Sequence, residues 1–592
     1  MTANQSAHAA PVEHIGEWLV NADKLQQADL QRALSLSVPD DVGIGPLLVR
    51  LGLVSDTDLS AAYAERYGLP VLQDGELPEA PVDNGALSVK FQKAAGVLPL
   101  SDTVEQLCIA IANPEDRFTV RAVAMACGKP VTVKLATLTQ VERTLEQFYG
   151  GGKTTMEGIV ESIEETDRAD TAESIENLRG QAARAPIIRL VNLIINRAVA
   201  ARASDVHIEP FEDQLHVRYR IDGVLQEGES PPARAAAAIV SRVKIMAKLN
   251  IAERRLPQDG RIQANIQGRL IDLRVSTVPT LHGESLVLRI LDRTGVALDL
   301  ERLGFDDVTI TRLRELLALS HGVILVTGPT GSGKTTTLYA ALQTLNISDR
   351  KILTVEDPVE YQLAGINQIQ VKPQIGLNFN DALRAIVRQD PDIIMVGEMR
   401  DLETARIAVQ SALTGHLVFS TLHTNDAGSS VTRLLDMGVE DYLLTSTVNG
   451  ILAQRLVRTL CTHCRAPYQP PPALLEELQH WLTPAAGSGN KHEALAALGV
   501  EWSPGDDRNQ PVLYQAVGCE KCAQTGYHGR TVISELLVMS PALRELILSR
   551  ADGKQIQAAA VSAGMNSMKT DGLSKALQGL TTIEEVSRVT RA

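Results

Sequence analysis

Apolar positions in the first seventy residues recur in register. "HIGEWLVNADKLQQADLQRAL" from His14 and "GIGPLLVRLGLVSDTDLSAAY" from Gly43 superimpose at an offset of 29. Gly16 falls on Gly45, Leu19 on Leu48, Leu25 on Val54 and Leu30 on Leu59. The spacing in each copy predicts two short amphipathic helices joined by a turn, and two copies can bury their apolar stripes against each other. After them "VKFQKAAGVLPL", "QLCIAIAN" and "KPVTVKLAT" read as strands among helices, ending near Tyr149.

The pattern then lapses. Residues 151–180 hold eight Asp/Glu against three Lys/Arg, the composition of a flexible acidic linker that runs to about Arg184. Beyond it "APIIRLVNLIINRAVAAR" predicts a helix, and "DQLHVRYRIDG" alternates cleanly. Leu215, Val217, Tyr219 and Ile221 share one face, while His216, Arg218 and Arg220 share the other. "RLIDLRVSTVP" and "ESLVLRIL" alternate in the same way. This is a mixed α+β domain with arginines on its polar faces. Buried-strand runs take over near Leu303, and a helical pattern begins at Pro541. The expected parts are an N-terminal module (1–150), the linker (151–184), the α+β domain (185–300), an α/β domain (301–460), a cysteine-bearing arm (461–530) and a helical end (531–592).

Length and charge narrow the class. A chain of 592 residues with 44% apolar residues forms several globular domains. A net charge of −14 offers no overall attraction to phosphate backbones, and 3% aromatics do not make base-stacking platforms. No nucleic-acid partner is expected. The N-terminus lacks the cationic start and apolar core of a secretory signal, and no run of about 18 apolar residues occurs, so a cytoplasmic location is expected.

The strongest chemical signal is "GVILVTGPTGSGKTTTLYAAL". Gly328, Pro329, Thr330, Gly331, Ser332, Gly333, Lys334 and Thr335 match the phosphate-loop pattern in full, between a buried-strand run and a helix start. Glycines let backbone amides curl around phosphate oxygens, and the helix N-terminus adds its dipole. Lys334 is expected to reach the β- and γ-phosphates of ATP, and Thr335 to ligate Mg²⁺. Such a loop needs acids at neighbouring strand ends. "PDIIMVGEMRD" ends in Glu398, "KILTVEDPVEY" in Glu356, Asp357 and Glu360, and "HLVFSTLHTNDA" in His423. Polar residues ending several strands on one edge suit a parallel sheet that binds its ligand at the strand carboxyl ends. Glu398 is expected to polarise the attacking water or organise the Mg²⁺ shell, and His423 to sense the γ-phosphate.

"CTHC" and "CEKC" place Cys461, Cys464, Cys519 and Cys522 as two C-x2-C pairs with 54 residues between. Four thiolates so spaced suit a tetrahedral Zn²⁺, with no position left open for catalysis. A redox site needs a single pair beside a βαβ pattern. "PAAGSGNKHE" and "SPGDDRNQP", between the pairs, read as an insertion. His463 and His528 lie near enough in sequence to replace a ligand, and Cys108 and Cys127 read as buried small apolar residues.

"ASDVHIEPF", "AERRLPQDGRI", "GPTGSGKTTTLYAAL", "ILTVEDPVEY", "LRAIVRQDPDIIMVGEMRDLETARIAVQSALTGH", "STLHTND" and the paired cysteines come in that order. In this the chain resembles the type II/type IV secretion ATPases, the GspE/PulE-like motors, from about Ala185 to the C-terminus, and most closely the type II secretion branch. The resemblance implies a RecA-like ATPase domain preceded by a PAS-like α+β domain, in a homohexamer whose lobes shift as ATP turns over. It implies an acidic box at Glu356–Glu360, a second acidic motif at Glu398 and a histidine box at His423. The arginines at matching positions are Arg274, Arg289, Arg384, Arg388 and Arg400. Guanidinium clamps on transferring phosphate are a large electrostatic term, and closing the α+β domain would complete the site. A surface or interdomain ion pair is the competing role for each arginine.

Asp205, His207 and Glu209 alternate on one strand face and suit a metal by type, but the resemblance assigns the stretch no metal, and an interdomain hydrogen-bond network competes. The helical repeat also resembles an N-terminal domain of these motors that binds cyclic di-GMP in some members through an Arg-Leu-Gly start and a terminal Gln in each copy. Here the arginine positions carry His14 and Gly43, the glutamine positions Ser37 and Arg66, and one internal glycine is Asp23. Only the apolar scaffold is kept, so the resemblance favours docking to inner-membrane secretion platform proteins over nucleotide binding. Pilus extension is the alternative for the same motor, with a zinc-bearing translocase and a non-hydrolysing scaffold as more distant readings.

Overall fold

The structure is a computed structural model that describes residues 14–149, 185–292, 298–482 and 511–590, apart from short breaks at 23, 37–42, 51–52, 79, 83–85, 229 and 267–268. The acidic linker and most of the insertion between the cysteine pairs lie outside the described residues. The chain divides into two compact units, Met1–Thr294 and Gly295–Ala592.

Four short helices open the first unit: Ile15–Asn21, Gln27–Leu36, Ile44–Arg50 and Asp56–Tyr67. Leu19, Leu25, Leu30, Leu48, Val54 and Leu59 meet in one core. Gly16 and Gly45 allow the close approach: a Cβ on Gly16 would lie 2.4 Å from Leu30, and one on Gly45 would lie 2.2 Å from Tyr63 and 3.1 Å from Leu59. A three-stranded sheet follows, ordered β1 (Val97–Asp102), β2 (Leu107–Ile111), β3 (Val131–Leu135), antiparallel then parallel. The Asp56 carboxylate joins the two layers. It accepts from the N–H groups of Leu138 (2.9 Å) and Thr139 (2.8 Å), capping the helix Leu138–Tyr149.

One expectation fails here. "VKFQKAA" is not strand but the helix Val89–Ala95, capped by Ser88, which accepts from Phe91 N–H, and closed by left-handed Gly96. A serine cap before and a glycine after outweigh the apolar run between them. Cys108 and Cys127 are half-buried rather than buried.

The α+β domain is a six-stranded antiparallel sheet in the order β6 (Val224–Glu227), β5 (Leu215–Ile221), β4 (Ala203–Pro210), β9 (Gly283–Asp292), β8 (Arg269–Thr280), β7 (Gln258–Ile266). Its core is closed by the helices Ala185–Ala200 and Ala236–Met246. Leu215 and Val217 are fully buried, as their alternation predicts.

The second unit is built on seven strands in the order β12 (Asn367–Gln370), β11 (Ile352–Glu356), β13 (Ile393–Val396), β14 (Leu417–Leu422), β10 (Gly322–Thr327), β15 (Val448–Leu460), β18 (Tyr527–Val538). All pairings are parallel except β15 with β18. Val323 and Leu325 enter one core while Ile324 and Val326 enter the other, so both sheet faces are covered and the strands read as unbroken apolar runs. β15 and β18 pair from Gly450↔Val538 to Leu460↔Tyr527, a ribbon leading from the sheet to the cysteine pairs. Strands β16 (Ala466–Tyr468) and β17 (Leu513–Gln515) form a small antiparallel pair within the cysteine arm.

Candidate active site

The loop after β10 is shaped by its glycines. Gly328, Gly331 and Gly333 have φ of 148°, 81° and 87°, a region side chains avoid, and the helix Lys334–Leu345 starts immediately after. Pro329, Thr330 and Gly331 are exposed; Ser332 is buried. Lys334 is folded back on the loop, its Nζ donating to the carbonyls of Gly328 (2.7 Å) and Pro329 (3.1 Å). Burial pulls its ammonium down to about 8, with Glu398 opposing the shift. Thr335, in the first helical turn, is exposed and available to a metal.

Glu398 follows β13 and His423 follows β14, the strand between β13 and β10. Glu398 is ion-paired with Arg400, its side chain 15% exposed, and His423 Nε2 lies 3.8 Å from its carboxylate. Burial and the charges of Lys334 and Arg400 lower the His423 imidazolium, so it is neutral at neutral pH. The structure thus brings Lys334, Glu398, His423 and Arg400 together. Thr421 fixes the floor: its hydroxyl donates to Gly397 O at 2.7 Å.

Glu356 is placed differently. Its carboxylate is buried and accepts from the Tyr339 hydroxyl, from Thr354 Oγ1 (2.6 Å) and from Gln368 Nε2 (3.1 Å). Tyr339 belongs to the phosphate-loop helix, and its oxygen also accepts from Glu360 N–H at 3.2 Å. Glu356 therefore ties that helix to the acidic loop. Arg384 faces outward in an ion pair with Glu403, and Arg388 is exposed. In the α+β domain Arg274 stands directly opposite Arg289, and Arg289 donates to Asp205 at 2.9 Å. Asp205 is also approached by Arg220, and Glu209 by Arg218, so the Asp205/His207/Glu209 row spends its carboxylates on guanidinium groups rather than on one another.

The four arm cysteines converge, with all sulfurs within 4.8 Å of one another. Cys461–Cys519, Cys464–Cys522 and Cys519–Cys522 sulfur distances are 3.9, 3.8 and 3.7 Å. Four sulfurs about 2.3 Å from a tetrahedral Zn²⁺ stand about 3.8 Å apart, so the donor set fits that ion. Backbone N–H groups of Gly518, Cys519 and Gly526 donate to the Cys464 and Cys522 sulfurs, as thiolates require. His463 instead contacts Lys521, and among the described residues the four cysteines are the one cluster of three or more His, Cys, Asp or Glu with ligand atoms this close.

Sequence reasoning passed over Tyr339, Gln368 and Gln454. Tyr339 and Gln454 are buried polar residues among apolar neighbours, and that interruption is the signal that could have found them, whereas Gln368 lies in the polar strand Asn367–Gln370 and gives no such signal.

With this geometry in view, the comparisons decide the family. A family model described as type II/IV secretion system protein matches residues 180–588. The chain belongs to that family. A second model, the MshEN domain, matches residues 67–155, beyond the helical repeat. The type II secretion system protein E of Xanthomonas campestris pv. campestris is 52% identical over 580 residues, covering 97% of this chain and 98% of that one. The type IV pilus assembly ATPase PilB of Myxococcus xanthus is 40% identical over 577 residues, again covering 97% and 98%. Among solved structures, the pilus retraction motor PilT with bound ADP is 25% identical with a TM-score of 0.43, covering 68% of this chain and 97% of that one. By its family and its strand order the seven-stranded unit has the RecA-like ATPase fold, with an MshEN-like domain nearer the N-terminus.

Proposed function

We propose that this chain hydrolyses ATP to power a type II secretion apparatus. The observation that carries the reading is the convergence of Lys334, Glu398, His423 and Arg400 at the strand ends beside a complete phosphate loop. Lys334 leaves the Gly328 and Pro329 carbonyls for the β- and γ-phosphates. Glu398 orients the attacking water and takes its proton as the bond to the γ-phosphorus forms and ADP departs. Thr335 holds Mg²⁺, which would neutralise phosphate charge. Neutral His423 contacts the γ-phosphate, and Arg400 moves between Glu398 and phosphate. Glu356 and Glu360 brace the acidic loop. Arg274 and Arg289, which face each other across β8 and β9, are assigned to phosphate; what supports this is that they stand at the positions the family resemblance gives that role. Arg384 and Arg388, both exposed, are assigned to contacts across a homohexamer.

Residues 1–150 are the docking module for inner-membrane platform proteins, joined by the acidic linker at 151–184 to the PAS-like domain at 185–300. The ATPase domain (301–460), zinc arm (461–530) and helical end (531–592) follow. On this reading the protein works at the cytoplasmic face of the inner membrane, held there by its partners. The residues at the cyclic di-GMP positions favour docking of the two-copy helical repeat over that ligand. Cys461, Cys464, Cys519 and Cys522 hold a structural Zn²⁺.

The 52% identity favours secretion over pilus assembly, the second reading, which the 40% identity to a pilus ATPase keeps in view. Phosphate release by the purified full chain, abolished in Lys334→Ala, tests the hydrolase; equal turnover in both would refute it. Capture of a secretion-platform rather than a pilus-platform membrane protein by the full chain separates the two machines.

A further inference from the structure

Gln454 is the polar interruption in "GILAQRLV", at the centre of β15. It is 1% exposed, and both ends of its amide are bonded to the phosphate loop and the helix behind it. Nε2 donates to the Ser332 carbonyl at 2.8 Å, and Oε1 accepts from Thr337 Oγ1 at 2.9 Å. The same residue also shapes the glycines. A Cβ on Gly328 would lie 2.4 Å from the Gln454 carbonyl oxygen, and one on Gly333 would lie 3.2 Å from Nε2. Gln454 thus meets the loop where it leaves β10, where it turns into the helix, and one helical turn later.

A core position that needed only packing would be filled more cheaply by an apolar side chain, because an amide buried without partners is costly. Here the amide serves both partners at once: Ser332 lies between the left-handed Gly331 and Gly333, and Thr337 is buried. We infer that Gln454 is a positioning residue of the phosphate loop, holding the Ser332 carbonyl and the first helical turn in the conformation that receives the nucleotide. It touches no phosphate itself and acts through the loop. The inference rests on the ATP reading above.

The test is titration of the full chain with a fluorescent ATP analogue and Mg²⁺, alongside steady-state turnover. Gln454→Met keeps size and removes both hydrogen bonds. It should weaken nucleotide binding and raise KM about tenfold while kcat changes less than about threefold. A merely structural role would lower the active fraction and leave KM alone. Gln454→Glu supplies a second and independent readout. Its carboxyl can donate to the Ser332 carbonyl only when protonated, so its affinity relative to the wild type should recover from about pH 8 to about pH 6. Wild-type affinity in Gln454→Met, or a flat pH ratio in a folded Gln454→Glu, overturns the inference. If those results come while Lys334→Ala loses the nucleotide, only the role of Gln454 falls. Equal binding by wild type and Lys334→Ala would remove the ATP reading as well.

Discussion

The two ends of the β15–β18 ribbon make opposite use of polar groups. At the sheet end, around Gln454, the phosphate loop is left ready for a ligand: three glycines in the positive-φ region, an exposed Thr335 and a lysine parked on carbonyls it must give up. At the far end, just past Leu460, four sulfurs lie within 4.8 Å of one another, with backbone N–H groups turned toward them. One end keeps its donors in reserve and the other spends them all. On the function proposed above, that difference separates a site of chemistry from a zinc staple, even though both are built from short motifs of equal prominence in the sequence. The same contrast divides the two acids. Glu356 has its partners inside the fold, whereas Glu398 meets the exposed charged group of Arg400 and the exposed ring of His423.

The largest effect should fall at the open end. Lys334→Ala should cut ATP turnover about a thousandfold or more without unfolding the chain, read by phosphate release beside a melting curve. Retained turnover would erase the distinction between the ends. Glu398→Gln should come next, lowering kcat about a hundredfold while nucleotide affinity stays within a few-fold. If Glu356→Gln lowers kcat as far with stability unchanged, the division between the two acids is wrong.

At the closed end the expected currency is stability. Replacing Cys461 and Cys464 by serine should abolish zinc in metal analysis and destabilise the arm by at least about 3 kcal/mol, since metal binding there is folding energy. Nucleotide affinity per folded molecule should move less than about threefold. A loss of affinity matching Lys334→Ala would mean that the ribbon transmits the state of the arm to the loop. Wild-type protein without bound zinc would remove the staple.

Much of this was legible beforehand, for physical reasons that differ by element. The phosphate loop could be read because its chemistry demands glycine and lysine at fixed spacing, and the strand ends because a doubly covered parallel sheet leaves unbroken apolar runs that stop at acids. The cysteine pairs could be read because tetrahedral sulfur coordination tolerates almost any intervening length. "VKFQKAA" was misread because its helix is set by Ser88 and Gly96 at its ends rather than by its apolar residues. Gln454 and Tyr339 stayed hidden because their partners, Ser332 and Glu356, are 122 and 17 residues away. A hydrogen bond between distant segments leaves only an odd polar residue in an apolar run. Arg274 and Arg289 were found by resemblance, but their direct opposition is a matter of strand register, which one sequence does not display.

The smallest expected effect is the most specific to the open end. In the nucleotide-free chain burial holds the Lys334 ammonium at about 8, well below the usual lysine value. Bound phosphates require it charged. Below about pH 8 the free lysine already carries its proton, and ATP affinity should be independent of this group. Above it, binding must take up a proton, so affinity should fall by up to about tenfold per pH unit. Over the same window the stability of the nucleotide-free chain should rise, because the unfolded lysine retains a proton that the folded one has lost. The two trends have opposite sign and one cause. Lys334→Arg, charged throughout, should flatten both, whereas the cysteine variant should leave both slopes in place. Isothermal titration and melting curves from about pH 7 to about pH 9.5 would read them together. A wild-type affinity that stays flat across that range would show that the loop does not bury Lys334 in solution, and the contrast between the two ends would lose its sharpest mark.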